Sequence, residues 1–192
     1  MLSTLVWIII ATVINGLIAL VGAILFFITK RDGFLILLVS FTTGALIGGA
    51  IFHFIPESLE ELSIIKTTIL TIVGFALFLF LEKILYWHHC HHGECDEHAF
   101  TYLILYGDGI HNFIDGLIIA SSFIISIPFG IITSVLVIAH ELPQEIGDVG
   151  TLIYGGLTKR KALFYNLLSQ LTSVLGGILG YFFLTLRDQA VY

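Results

Sequence analysis

Two stretches of the chain carry histidine, carboxylate and amide side chains at helical spacing inside apolar surroundings. The first reads Tyr106-Gly107-Asp108-Gly109-Ile110-His111-Asn112-Phe113-Ile114-Asp115-Gly116, and the second reads His140-Glu141-Leu142-Pro143-Gln144-Glu145-Ile146-Gly147-Asp148. On a helix, Asp108, His111 and Asp115 (i, i+3, i+7) share one face. Glu141, Glu145 and Asp148 (i, i+4, i+7) do the same, with His140 and Gln144 an i, i+4 pair beside them. Imidazole nitrogen with carboxylate oxygen suits Zn²⁺, and also Fe²⁺, Mn²⁺ or Co²⁺. Sodium or calcium has no need of two histidines. A buried polar network or a proton relay is the competing reading, and the matched stripes on two segments favour a bound cation over it. Pro143 removes one backbone hydrogen bond and frees the carbonyl of Ala139 one turn earlier. Either this opens space and an oxygen beside His140, or Pro143 is a proline tolerated in a membrane helix.

A second signal lies between Trp87 and His98. Its histidines and cysteines are His88, His89, Cys90, His91, His92, Cys95 and His98, interspersed with Glu94, Asp96 and Glu97. Such tracts bind metal by composition. The order is not that of a structural zinc finger, so loose, exchangeable binding is expected, with a solvated polar turn as the alternative. A third feature is His53 with Glu57, followed by Glu60 and Glu61. It is either an acidic mouth that concentrates cations or a solvated, helix-flanking charge run.

The elements that position these residues follow from composition. The chain has 192 residues, of which 57% are apolar and 11% charged, against about 25% charged in a soluble domain. Mean hydropathy is +1.02, and the apolar residues come in long blocks. A soluble fold of this size needs a polar skin, so the bilayer is the expected solvent. The formal net charge of −6 says little about nucleic acid, and no basic patch or stripe exists. A membrane span needs about 20 mostly apolar residues. Segments at roughly 4–29, 33–56, 66–87, 99–124, 128–152 and 162–186 qualify. Continuous apolar runs without period-2 alternation select helices over a barrel. The reading is a single all-α, polytopic helix bundle covering residues 1–192, with six spans. Residues 1–29 carry no charge ahead of Lys30-Arg31, the reverse of a cleavable signal peptide, and are read as an uncleaved first span.

Lys30, Arg31, Lys83, Lys159, Arg160 and Lys161 fall on one side of such a bundle, and Lys66 and Arg187 on the other. The positive-inside rule puts the richer side in the cytoplasm. The N-terminus is then outside and the His-rich loop 88–98 cytoplasmic, where its thiols stay reduced. The fourth and fifth spans are antiparallel and joined by a tight turn at Ser126-Ile127-Pro128. That turn brings His111 and His140 to one depth. Gly44 with Gly48, and Gly176 with Gly180, are GxxxG pairs that read as close helix packing.

At these residues the chain resembles the ZIP (Zrt/Irt-like) family of metal transporters. His111-Asn112-Phe113-Ile114-Asp115-Gly116 resembles the family's HNFxDG motif on its fourth helix, and residues 140–148 resemble its HExPHExGD signature on the fifth. Residues 44–57 are similar to its second helix. Residues 161–177, with Asn166 and Ser169, are similar to its sixth, and the His-rich loop follows the third helix as in the family. The resemblance implies uptake of a divalent metal into the cytosol through a binuclear site. One metal would take His111, Asp115, His140 and Gln144. The other would take Asn112, Asp115, Glu141 and Glu145, with Asp115 as a bridge. Asp108, Asp148, His53, Glu57 and Asn166 fall along the expected pathway. The implied cargo is Zn²⁺ foremost, with Fe²⁺, Mn²⁺, Cd²⁺ or Co²⁺ as alternatives and no organic cofactor. The implied assembly is a homodimer in the plasma or inner membrane. Gln144 stands where the signature has its second histidine, which weakens one ligand and broadens selectivity. Six spans against the family's eight lead to the expectation that the last two are missing.

Two other functions compete. His140-Glu141-Leu142-Pro143-Gln144 falls one residue short of the HExxH of zinc hydrolases. An intramembrane protease would use it, but Gln144 breaks the histidine pair and the HNxxD cluster is left unexplained. A metal sensor or buffer without transport is the other alternative. The expectation is a transporter, not an enzyme.

Overall fold

In a computed structural model of the chain, residues 3–28, 32–89 and 99–190 are described. Helix α1 spans Thr4–Ile28, α2 Asp32–Gly49 and α3 Ile55–Glu61, with a π-helical turn at Ala50–Phe54 between the last two. Then come α4 (Ile64–His89), α5 (Ala99–Ile125), α6 (Ile127–Tyr154) and α7 (Lys159–Ala190). No strand occurs among the described residues. Five of these helices, α1, α4, α5, α6 and α7, are long and apolar enough to cross a membrane. The expected second span, 33–56, falls on α2, the π turn and the start of α3. The turn sits on the backbone of His53, and π turns widen a helix locally, often beside functional groups. Further along, α4 extends into the expected loop and takes in the backbones of His88 and His89. Cys90, His91, His92, Cys95 and His98 lie outside the described residues, as do the side chains of His53, His88 and His89.

Helices α1, α5, α6 and α7 form the packed unit, with α2 against α6 and α4 against α5. α4 packs on one side only and leaves most of its apolar surface exposed. The α5–α6 joint is as tight as expected. α5 ends at Ile125, Ser126 caps α6 by accepting a hydrogen bond from the Phe129 amide at 3.3 Å, and Pro128 sits in the first turn. Ser at an N-cap and Pro in the first turn satisfy or remove otherwise orphaned donors. α6 then runs through Pro143 without a break.

α5 and α7 approach more closely than any side chain would allow. A Cβ on Gly116 would lie 2.0 Å from the Ser173 carbonyl oxygen, and one on Gly176 would lie 2.0 Å from that of Phe113. Gly180 also faces α5, at Ala120 and Leu117. The 176/180 pair therefore packs as its spacing predicts. Gly44 and Gly48 do not, since nothing among the described residues lies within 4 Å of a Cβ built on either.

Apolar clusters close both ends of the unit. Ile8, Ala11, Ile119, Ala120, Phe123 and Val137 form one, with Trp7 stacked on Phe123 at 6.2 Å. Leu152, Leu157 and Ala162 form the other. At that second end Lys159 Nζ lies 5.4 Å from the Phe27 ring, joining the end of α1 to the start of α7. Between the clusters is a buried polar layer: Asp108, Asn112 and Asp115 of α5, Glu141, Gln144 and Glu145 of α6, and a matching stripe on α7.

Candidate metal centre

α5 and α6 run antiparallel, which sets which residues meet. One turn down α6, from His140 to Gln144, corresponds to one turn back up the numbering of α5, from His111 to Asp108. The polar layer accordingly divides into two groups, His111–Asp115–His140–Glu141 and Asp108–Glu145–Asp148, each with its ligand atoms within 4.8 Å of one another.

In the first group, the Nε2 atoms of His111 and His140 are 3.2 Å apart. Asp115 Oδ2 lies 3.7 Å from the first and 3.1 Å from the second. Glu141 Oε1 lies 3.4 Å and 3.9 Å away. A tetrahedral zinc with bonds of about 2.0–2.1 Å has its ligand atoms about 3.3–3.4 Å apart. The observed separations bracket that edge. His140 Nδ1 faces the Leu136 carbonyl oxygen at 3.2 Å. Donation there puts the ring proton on Nδ1 and leaves the Nε2 lone pair for a metal, the usual way an outer hydrogen bond fixes a ligand tautomer. Glu141 is fully buried, and its Oε1 has no hydrogen-bond donor among the described residues. A buried carboxylate oxygen without a donor is costly, and a cation beside it removes that cost.

The second group is all oxygen. Asp108 Oδ1 accepts from Asn112 Nδ2 at 2.8 Å and from Gln144 Nε2 at 3.5 Å, while Ser169 Oγ donates to its Oδ2. Asn166 Nδ2 donates to Glu145 Oε2, and Gln170 Nε2 donates to Glu145 Oε1. A cavity of about 400 Å³ opens onto Asp108, His111, Gln144 and Asp148, with Phe78 of α4 on its far wall. It touches both groups.

This grouping differs from the ligand sets implied by the resemblance. Glu141 stands beside the histidines, where Gln144 was expected. Gln144 turns its amide to Asp108, and Asn112 and Glu145 belong to the oxygen group. The cause is the antiparallel register, which sets Gln144 one turn away from His111. Asn166, one of the expected pathway residues, donates to Glu145 Oε2. Glu57 is exposed on α3, outside both groups.

The sequence reading named Asn166 and Ser169 of α7 but missed Gln170, Ser173 and what α1 contributes. Asn166, Ser169, Gln170 and Ser173 are all buried and face the layer at i, i+3, i+4 and i+7. That neutral stripe on an apolar helix is visible in the sequence once amides are weighed alongside charges. α1 meets the same layer. A Cβ on Gly22 would lie 3.2 Å from the Glu145 Cβ, and one on Gly16 3.6 Å from the Gln170 Cβ. Next to Gly16, Asn15 is 1% exposed with neither amide atom hydrogen-bonded.

Comparison with known proteins finds relatives for the part of the chain that holds α5, α6 and α7. The family model described as ZIP zinc transporter matches residues 88–191, more than half of the chain. The chain is 39% identical over 107 residues to the zinc transporter ZIP10 of Homo sapiens, covering 49% of this chain and 13% of that protein. It is 42% identical over 92 residues to the zinc transporter foi of Drosophila melanogaster, covering 48% and 13%. The IAA-alanine resistance protein 1 of Arabidopsis thaliana is 48% identical over 82 residues, covering 41% and 17%. The chain thus spans less than a fifth of the length of these relatives. No solved structure matches. The long apolar helices mark a multi-pass membrane protein, and the family match runs across α5, α6 and α7, the helices that carry both groups. The chain belongs to the ZIP zinc transporter family.

Proposed function

We propose that this chain carries a divalent transition metal, zinc foremost, across a membrane into the cytosol through two metal positions between α5 and α6. The first is His111, Asp115, His140 and Glu141. The second is Asp108, Glu145 and Asp148, with the Asn112 and Gln144 amides beside it. The observation that carries the reading is the pair of imidazole Nε2 atoms 3.2 Å apart, flanked by two carboxylates, within an otherwise apolar bundle. Each ionisable group at that depth costs a few kcal/mol unless partnered, and a passing cation is a partner that transport itself supplies.

The metal enters the nitrogen-containing position, where its ligands suit Zn²⁺ and also Fe²⁺, Co²⁺ or Cd²⁺. It passes toward the cytosol through the oxygen position, whose harder ligands hold it less tightly and admit Mn²⁺ as well. The cavity against Phe78 gives the exchange room. Rocking of the packed unit would expose each position in turn. The N-outside orientation, assembly as a homodimer and residence in the plasma or inner membrane belong to the same proposal. Hydrolysis is the weaker reading. Glu141 lies 3.4 Å from His111 Nε2, as a ligand would, and its own helix carries one histidine, His140, with Gln144 where a zinc hydrolase has its second.

The test is uptake into proteoliposomes loaded with a metal-sensitive dye, comparing the wild-type chain with His111→Ala. Loss of zinc uptake in the variant supports transport through this site. Equal uptake removes the assignment, and tight binding without flux in the wild type replaces transport with a sensor or buffer.

A further inference from the structure

The two metal positions share one residue that belongs to neither, Gln170 of α7. Its Nε2 carries two protons. One is directed at Glu141 Oε2, 3.3 Å away, and the other at Glu145 Oε1. A single neutral amide therefore holds one carboxylate of the nitrogen-containing group and one of the oxygen group. The consequences for the two carboxylates are unequal. Glu141 has Oε2 held and Oε1 without a donor, facing His111 and His140. It is set as a one-oxygen ligand. Glu145 has both oxygens engaged, Oε1 by Gln170 and Oε2 by Asn166. An ion entering the oxygen group meets a Glu145 whose charge two amide donors already partly satisfy, with only one lone pair left on each oxygen.

We infer that Gln170 is a positioning residue that fixes the order in which the two positions fill, readying Glu141 for the first ion and withholding Glu145 from it. The inference rests on the two-position reading above. It predicts opposite effects at the two positions when the amide is lost. The first position weakens because Glu141 is no longer oriented. Loss of an outer hydrogen-bond partner typically costs roughly 10–100-fold in metal affinity. The second position strengthens because Glu145 is freed. A residue that merely packed the bundle would weaken both together. Burial favours the specific role, since Gln170 is 2% exposed and its Oε1 has no partner. An apolar side chain of that size would avoid an orphaned buried acceptor.

The test is titration of the purified full-length chain with Co²⁺. Four-coordinate cobalt bound through nitrogen absorbs far more strongly in the visible than six-coordinate cobalt bound by oxygen alone, so the two positions are read separately. In the wild type the strong band should saturate with the first equivalent. In Gln170→Met, which keeps the volume, it should need roughly 10-fold more free cobalt, with weakly absorbing cobalt accumulating first. Gln170→Glu keeps the shape and exchanges a donor for an acceptor, and it should lower the strong band further. A band in both variants that saturates as in the wild type, or equal weakening at both positions, overturns the inference. Absence of the strong band in the wild type overturns the metal centre itself, and the inference falls with it.

Discussion

His111 and His140 come from different helices, yet their Nε2 atoms are 3.2 Å apart and both lie within 4 Å of Asp115 Oδ2 and Glu141 Oε1. With both rings protonated on Nδ1, the two Nε2 lone pairs would face one another and could serve one cation. On the proposed function, replacing either histidine by alanine removes a direct ligand. The loss of zinc affinity should therefore exceed the roughly 10–100-fold typical of an outer-shell partner. Calorimetric titration of His111→Ala and His140→Ala in detergent measures it. Comparable affinity in either variant would place the zinc elsewhere.

Glu141 should matter as much as the histidines, and Gln144 less. Glu141 stands with the first group, whereas the Gln144 amide points at Asp108 from 3.5 Å. Glu141→Gln keeps the shape and removes the charge, so it should abolish high-affinity binding. Gln144→Leu should leave first-position affinity within a few-fold and disturb only the second. Gln144→His should add a nitrogen to the oxygen group and shift competition there from Mn²⁺ toward Zn²⁺. A panel of divalent ions competing for uptake reads this shift. An unchanged preference would mean that Gln144 faces no ion.

Much of this site is legible in the sequence because charges in apolar helices have few explanations. Asp108, His111, Asp115, Glu141 and Glu145 declare themselves by cost alone. Ser126 and Pro128 announce the turn that makes α5 and α6 antiparallel. What stays hidden is register. Whether Glu141 or Gln144 stands beside His111 depends on an offset of one turn, and no residue type encodes that offset locally. Neutral amides are hidden for another reason. Gln170 and Asn15 cost less in an apolar helix than a carboxylate, so neither stands out until its neighbours are known. The break of the second span into α2, a π turn and α3 is likewise a departure in hydrogen bonding that apolarity does not report.

The α5–α7 crossing makes a packing prediction with a built-in control. A Cβ on Gly116 would lie 2.0 Å from the Ser173 carbonyl oxygen, a fixed backbone atom with no rotamer to yield. Gly116→Ala must push the helices apart and carry Ser169 and Gln170 away from their carboxylates. Overpacking of this kind costs about 1–3 kcal/mol or more, and a lowered melting temperature together with weakened metal binding is expected. Gly44→Ala, with nothing within 4 Å, should be neutral or stabilising by up to about 1 kcal/mol, through helix propensity alone. Thermal unfolding of the two variants in one detergent distinguishes them, and equal melting would contradict the close crossing.

Asn15 sets stability against function. It is 1% exposed on α1, and neither its Nδ2 nor its Oδ1 has a partner among the described residues, although α1 packs beside Gln170 and Glu145. A buried polar group without partners costs about 1–3 kcal/mol, so a helix that only had to pack would carry leucine there. Asn15→Leu should therefore raise the melting temperature of the metal-free chain. If the amide serves an ion or its water as it passes the layer, the same variant should slow zinc uptake while leaving zinc affinity at the first position unchanged, because Asn15 makes no hydrogen bond to any of its four ligands. Faster melting of Asn15→Leu would mean that the amide already has partners that hold α1 in place. Unchanged uptake with raised stability would mark Asn15 as a cost the fold carries for no part in the pathway.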